Sequence, residues 1–524
     1  MNTFANEPLE SFPMAQQKLP TQKDDFPAWY QSVIREAQMA ENGLAKGSMV
    51  IKPWGYAIWE QIQAQVDKRI KLTGHDNFYF PTLAPMSVFG AEADLVEGFA
   101  PEVYEVTQSG GRSLEENLFL RPTSEAIIWE TYSRWVQSYR DLPLMYNQWA
   151  NVFRSEKRSR LFLRTSEFLW QEGHTAHETE QEAIKETLTI LRDVYLDTVL
   201  NKLMMPVIAG RKSESERFPG ASETFTMEAM MRDKKSLQAG TSHYLGQKFA
   251  KAYGVQFQTH DGSLDNPYAT SWGVSTRLIG GIIMTHGDDK GLRLPSAVAP
   301  RQVVIVPIYR DDDERSGVLD KSNSIKNELV ANGMRVQLDD REEVRPGNKF
   351  FEWELKGVPI RIEIGPRDIE EGTVLVSMRA GSTIEPDARG SQKEKVNFES
   401  LANRINEMLI QHDQALFDEA RDFRDENTIR PKSYDEMKSF LNECGGYAIV
   451  PWDGAIASEA QVKSETKATI RCLPVSNKDI DSGIDTGLIP YVHSEDLLDS
   501  NGSKMKCLIT GNQASEIAIF SQAY

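Results

Sequence analysis

The stretch Asn151–His174, NVFRSEKRSRLFLRTSEFLWQEGH, constrains the fold more than any other part of the chain. It reads as two strands joined by a short charged turn. Arg154 and Glu156 lie two apart and so share a face of the first strand. On the second strand Arg164, Ser166, Phe168, Trp170, Glu172 and His174 share one parity, and Leu161, Leu163 and Leu169 take the other. The pattern predicts one apolar, buried face and one face of charged and aromatic groups. An ordinary half-exposed hairpin also alternates, but solvation alone does not place Trp and Phe among acids. Arginines, acids and flat rings on one sheet face can hold a phosphate, an amine and a base.

The chain around this hairpin has 524 residues, enough for about three domains. Its composition, 40% hydrophobic and 26% charged, is that of a globular protein. The net charge of −18 argues against nonspecific binding of polyanions but leaves room for a locally basic nucleic-acid surface. Cys444, Cys472 and Cys507 are widely spaced and form no disulfide framework, which with the absence of a basic-then-apolar leader points to the cytoplasm. No apolar run approaches the length of a membrane span.

Residues 1–24 read as a loose arm and 25–298 as the main domain. A helix is predicted from Asp25, a short strand at GSMVIKP, and a second helix after Pro53. In the latter Ile58, Ile62, Val66 and Ile70 recur at steps of four and Gly74 can cap the end. NFYFPTLAP is predicted as a strand. Thr123 and Glu125, in RPTSE between a strand and a helix, suit either a helix N-cap or the partners of a small cation. Glu180–Met205 is predicted as a helix with Ile184, Leu188, Leu191, Tyr195 and Val199 on one side. The glycine-bearing loop at GRKSESERFPG suits closure over a site. Gln238, Thr241 and His243 are predicted to cluster just before a helix. Arg277, after Ser275 and almost inside an apolar run, needs an anionic partner.

Beyond Pro300, short β-rich runs alternate with helices, predicting an α/β domain of parallel strands over 299–408. Within it DDREEVRPGNKFFEWELKG interleaves Arg345, Lys349, Phe350, Phe351 and Trp353. That pattern suits a single-stranded RNA reader, and a plain amphipathic helix nearly as well. A long charged helix from about Asn397 leads to a small third domain, 409–524, with strands at GYAIVP, TIRCLP, KMKCLIT and SEIAIFS.

Taken in order, WGYAIWE, VEGFAPEV, RPTSE, FRSE, FLRTSEFLWQEGH, GRKSE, GTSH, SWGVSTRLIGG and PGNKFFEWELKGVPIRIEIGPRD resemble the prolyl-tRNA synthetases. The form resembled is the archaeal and eukaryotic-like one, without an editing insertion. The resemblance implies an α+β multidomain protein: a class II synthetase sheet of six to seven antiparallel strands flanked by helices, an α/β anticodon-binding domain and a small α/β C-terminal domain. It implies ATP-dependent formation of prolyl-adenylate and transfer to tRNA(Pro) by a homodimer, with the helix and strand up to Pro85 as the dimer interface.

By that resemblance Arg154 and Arg277 are catalytic, gripping the phosphates from two sides. Glu156, Arg164, Thr165, Phe168, Gln238, Thr241 and Ser275 join them around ATP, with Gln238 near Mg2+. Thr123, Glu125, Arg154, Trp170, Glu172 and His243 line the proline pocket. Arg345, Lys349 and Glu354 are anticodon readers. Tyr524 matches a terminal tyrosine whose carboxylate tucks toward the catalytic domain, so its removal is expected to lower activity. Three features depart from the family pattern. Ala239 stands where a second glycine is usual, Asn348 replaces a frequent Trp, and Asp453, Ser458 and Thr510 replace three of four zinc-binding cysteines, leaving Cys507. Zinc is therefore not expected. Rival readings are a class II enzyme for threonine or glycine, a synthetase-like protein without catalysis, and a duplicate enzyme resistant to a proline-mimicking inhibitor.

Overall fold

The computed structural model describes residues 19–90, 103–383, 392–474, 497–498 and 502–524. Most of the predicted arm and part of VEGFAPEV lie outside the described residues. The end of the arm is tied down: Gln22 donates to Asp289 and to the Gly287 carbonyl, each at 2.7 Å.

Helix α1 (Phe26–Glu36) is capped by the Asp25 side chain, and α2 (Pro53–Leu72) starts on a proline that needs no donor. Ile58, Ile62, Val66 and Ile70 all face the core, and Gly74 adopts a positive φ just past the helix. NFYFPTLAP is two short strands, β1 (Asp76–Asn77) and β2 (Leu83–Pro85), rather than one. Strands β3 (Tyr104–Ser109) and β4 (Arg112–Leu120) complete a three-stranded sheet with β2 at its edge. Helix α3 (Glu125–Trp135) follows.

The main sheet is built from β5 (Leu144–Phe153), β6 (Glu167–His177), β7 (Ile208–Arg211), β8 (Glu223–Met230), β9 (Ser236–Gly246) and β10 (Tyr268–Ser275). With β1 they run in the order β7-β8-β9-β10-β6-β5-β1, antiparallel except for the short β1–β5 pair. Helix α4 (Glu180–Thr189) continues as a π-helical segment, Ile190–Leu196, and packs its apolar side behind the sheet. Ile184 is the exception, being exposed. Helix α5 (Arg277–His286) has nine buried residues and two glycines against which Leu163 and Met205 pack.

In the second domain β11 (Val303–Pro307), α6 (Asp312–Ala331), β12 (Val336–Leu338), α7 (Pro346–Leu355), β13 (Ile360–Ile364), β14 (Thr373–Met378) and β15 (Lys393–Asn397) follow in order. The sheet order is β12-β11-β13-β14-β15. Only β12, β11 and β13 are parallel; β14 and β15 return antiparallel, which corrects the expectation of an all-parallel sheet. Only the short segment 365–372 joins β13 to β14, too little chain for a crossover to a parallel strand.

Helix α8 (Leu401–Glu426) runs through the expected border at 408/409, so the chain has no linker there. Arg293 forms a bidentate pair with Glu419 at 2.8 Å, and Asp288 one with Arg379 of the second domain. His286 and His412 are fully buried at this junction, their Nε2–H groups donating to the carbonyls of Leu203 and Leu294. Burial pushes their pKa values down to about 3 and about 4. The unfolded chain therefore holds more protons than the folded one between these values and about 6.5, and acid favours unfolding across that window. Each histidine is expected to cost on the order of 2 kcal/mol of stability at pH 5 relative to pH 8. Urea midpoints that stay constant from pH 8 to pH 5 would contradict this.

The last region contains β16 (Thr428–Ile429), β17 (Tyr447–Trp452), α9 (Ile456–Thr466), β18 (Thr469–Pro474) and β19 (Glu516–Ser521). KMKCLIT is not a strand of the sheet; it forms only isolated bridges. Nor is this region a detached third body. Leu473 and Pro474 of β18 pair with Arg211 and Gly210 of β7. The two sheets thereby fuse into one of eleven strands, β16-β17-β19-β18-β7-β8-β9-β10-β6-β5-β1.

Candidate active site

A cleft of about 220 Å³ opens on one face of β6, β8, β9 and β10. Of the expected residues, Thr123, Glu125, Arg154, Phe168, Trp170, Glu172, Gln238, Thr241, His243, Ser275 and Arg277 line it. Glu156, Arg164 and Thr165 do not. Arg164 is exposed, stands 3.8 Å from Glu156 and donates to the Tyr524 carbonyl oxygen at 3.2 Å. Thr165 is buried, its hydroxyl spent on the Glu167 carbonyl.

One end of the cleft is acidic and dry. Thr123 donates to Glu125 at the start of α3. Glu172 accepts from Gln148 Nε2 at 2.7 Å, from the Ser124 hydroxyl, and from His174 at 2.9 Å. Burial alone would raise the Glu172 pKa; His174, Ser124 and Gln148 outweigh it and hold the carboxyl below its ordinary value. Burial would likewise lower His174, but the charge of Glu125 and the bond to Glu172 raise it. His243, 3.0 Å from Thr224 and with its ring 4.6 Å from that of Phe218 at a tilt of 31°, is driven down to about 3 by burial and by the His174 charge. The two imidazoles are thus pushed in opposite directions, His174 toward its charged form and His243 toward its neutral one. Among the described residues, Glu125, Glu172 and His174 are also the one group whose ligand atoms converge within 4.8 Å.

The other end is basic and aromatic. Arg154 donates to the Pro122 carbonyl at 3.1 Å and lies over the rings of Phe168 and Trp170, 5.4 and 5.6 Å from their centres. Those rings meet edge to face. Arg154 and Glu156 lie beyond the end of β5, in the long loop to β6, not on the strand face. Arg277 opens α5 and donates to the Leu163 carbonyl at 3.4 Å. No described carboxylate comes within ion-pair reach of it. Burial, followed by the charges of Arg164 and Arg154, lowers its pKa to about 10. A half-buried guanidinium among like charges is a ready anion site.

Gln238, Thr241 and His243 belong to β9 itself rather than to a turn before a helix. Met227 pairs with Gly240 and Glu228 with Gln238, so Ala239 is the extra residue of a β-bulge. The bulge turns Gln238 and Thr241, three apart, toward the same cleft. Ala239 does not adopt a positive φ, so alanine fits where the family usually has glycine.

Sequence reasoning missed several lining residues: Glu216, Arg217 and Phe218 from the glycine-bearing loop, and Thr224 and Ser271 from the sheet. His174 lies on the polar face its parity predicts but carried no assigned role, and parity with Ser275 was the available signal for Ser271.

In the second domain Arg345 is exposed at the N-cap of α7, and Glu354 accepts from Lys290 at 3.0 Å. Lys349 is a correction. It is buried, and its ammonium donates to the Asp339 carbonyl at 3.0 Å, so it braces α7 rather than facing solvent. In the last region Asp453 accepts from Ser458 at 2.9 Å and Thr510 at 2.7 Å. Three of the four positions of the family's zinc form thus meet as a carboxylate and two alcohols.

An antiparallel sheet backed by helices, with two arginines at one end of a cleft and a buried acid network at the other, followed by a mixed α/β domain, defines a class II aminoacyl-tRNA synthetase. Residues 104–286 match the tRNA synthetase class II core domain (G, H, P, S and T), 302–408 the anticodon binding domain, and 434–524 the prolyl-tRNA synthetase C-terminal domain. The chain is 48% identical over 508 residues to a proline--tRNA ligase of Chlorobium phaeobacteroides, covering 97% of this chain and 100% of the relative. It is 46% identical to that of Roseiflexus sp., with 98% and 100% covered. A crystal structure of prolyl-tRNA synthetase from Cryptosporidium parvum, complexed with halofuginone and AMPPNP, superposes with a TM-score of 0.85 at 35% identity, covering 96% of each chain. The chain belongs to the prolyl-tRNA synthetase family.

Proposed function

We infer that the chain attaches L-proline to tRNA(Pro), forming prolyl-adenylate from proline and ATP with release of pyrophosphate and then passing the prolyl group to the tRNA 3′ end. The observation that carries the residue roles is the two-ended cleft. Its acidic end suits a secondary ammonium, which offers two donors to Thr123 and Glu125 while the ring packs on Trp170. Glu172, His174 and Gln148 fix the floor beneath, and neutral His243 closes the side. The pocket is small, so it discriminates well against bulk. A missing methylene is worth only about 1–3 kcal/mol, so alanine is rejected poorly.

Arg154, over Trp170 on the side of the basic end that faces the acidic one, reaches both the amino-acid carboxylate and the α-phosphate. Phe168 supplies a ring for the adenine, Ser275 flanks the nucleotide and Thr241 approaches the ribose; Glu156, the backbone near Thr165 and Arg164, outside the cleft lining, meet the nucleotide only where it extends past the cleft. Arg277 takes the outer phosphates. Attack of one anion on another needs charge stabilisation and positioning more than a protein nucleophile. Magnesium takes oxygen ligands and keeps several waters. The chain's chemistry fits it: Gln238 lines the cleft with its amide in no hydrogen bond to a described residue. When bound with ATP the ion neutralises phosphate charge.

Pyrophosphate exchange with a panel of amino acids, followed by charging of tRNA(Pro), tests this reading. Exchange with threonine or glycine and none with proline would overturn it.

Two further features belong to the same proposal. Arg345 and Glu354 remain the candidate anticodon readers on α7. The chain also works as a homodimer in the cytoplasm. The groove formed by Phe78, Tyr79, Phe80, Pro81, Leu83 and Trp135 supports the dimer, since Tyr79 and Leu83 are exposed on the predicted interface and Trp135 of α3 is exposed beside them. Leu83→Asp is expected to shift the sedimentation coefficient from that of a dimer to that of a monomer; an unchanged dimer would place the interface elsewhere. The three cysteines are free, and no described helix is long and apolar enough to cross a membrane.

A further inference from the structure

The loop that follows β7 brings Glu216, Arg217 and Phe218 over the cleft. Within the catalytic domain its far end is held where the Phe218 amide donates to Thr224 at 3.1 Å and Arg217 to the Ser222 carbonyl at 2.8 Å, and its root where the Lys212 amide donates to the Thr224 carbonyl at 2.8 Å. Its near end is fastened to the C-terminal region at four successive points. Arg211 meets Glu516 at 3.1 Å, and Lys212 donates to the Arg471 carbonyl at 2.9 Å. Ser213 donates to Glu459 at 2.9 Å, and Glu216 lies 3.5 Å from Lys463.

Two of these points are buried and costly. Lys212 and Arg471 converge on Glu228 of β8, at 2.8 and 3.0 Å, and Ser236 adds a third donor at 2.8 Å. Burial opposes the Glu228 charge, yet the two cations override it and hold its pKa near about 2. Glu228 pairs across the sheet with Gln238 of the cleft wall. Glu459 is almost fully buried on α9, and its second oxygen has no hydrogen-bond partner among the described residues. A carboxylate held by one alcohol is a poor device for stabilising its own domain. What it does hold is Ser213, at the root of the loop.

We propose that the C-terminal region is the post to which the cleft loop 213–222 is fastened, with Glu459 and Arg471 as positioning residues for closure over the amino acid. The loop's Phe218 ring packs against that of His243, so a loosened root disturbs the proline end and leaves the ATP end alone. The kinetic part rests on the assignment of that end to proline; the fastening does not.

The test uses the full-length enzyme and the variants Ser213→Ala, Glu459→Ala, their combination, and Ser213→Thr, which keeps the hydroxyl. Hydrogen–deuterium exchange of residues 213–222 without substrates reads the fastening, and pyrophosphate exchange reads its consequence. Either alanine variant is expected to speed deuterium uptake and raise the proline KM by about 10-fold, with the ATP KM unchanged. The double variant should match the single ones, and Ser213→Thr should restore both readouts. Should Glu459→Ala fail to fold, Ser213→Ala, which only removes an oxygen, decides alone. Unaltered uptake in the loop, or equal rises in both KM values, would overturn the proposal. Faster uptake in variants of a wild type that shows no proline-dependent exchange would keep the fastening and discard the functional reading.

Discussion

Replacing Arg277 with alanine is expected to lower proline-dependent pyrophosphate exchange by about 10³-fold while leaving the fold intact. The reason lies in what surrounds the guanidinium. It has one backbone contact, at the Leu163 carbonyl, and its strongest charged neighbours, Arg164 and Arg154, are of its own sign. A group so placed destabilises the free protein and is satisfied only when anions arrive. Its loss should therefore remove transition-state stabilisation without lowering thermal stability. The measurement is kcat for exchange beside a melting curve of each protein. Equal exchange in wild type and variant would remove Arg277 from the phosphate site. A large fall in melting temperature would show that its role is structural.

The opposite balance is expected at Glu172. This carboxylate is the common acceptor for Gln148, Ser124 and His174, all buried. Glu172→Ala takes the acceptor from three buried donors: Gln148 and Ser124 keep only each other, at 3.2 Å, and His174 loses its ring partner and nearest counter-charge. Breaking such a buried set costs about 3–5 kcal/mol. The variant should melt well below wild type and lose at least ~10²-fold in kcat/KM for proline, because the floor under Thr123 and Glu125 shifts. Glu172→Gln, which keeps the shape and one acceptor, should recover most of the stability but less of the activity. A stable Glu172→Ala with normal proline kinetics would show that the network is dispensable.

Much of this site was legible because strand alternation is a local rule. Phe168, Trp170, Glu172 and His174 line one face of β6 as their spacing requires. The helix over Ile58 to Ile70 was legible for the same reason. Legibility failed where the backbone breaks its period. Gln238, Thr241 and His243 did not read as a strand because the bulge at Ala239 puts an odd step between Gln238 and Thr241. Arg154 and Glu156 read as strand residues because nothing in FRSEKRSR marks the end of β5. Lys349 read as a surface cation because neither its charge nor its helix reveals that Asp339 waits behind it. The motif order supplied the family where these local rules ran out, but motif order carries no information on burial.

The union of β7 with β18 has a practical meaning for anyone shortening this protein. Antiparallel pairing at Gly210 and Arg211 covers a flank of the catalytic sheet whose amides and carbonyls would otherwise face water. A fragment ended after α8 would present that bare flank, rich in Ile and Ala, to every other copy in the tube. Such a fragment should clump by strand addition before its chemistry could be assayed, so loss of activity on truncation would say little about catalysis.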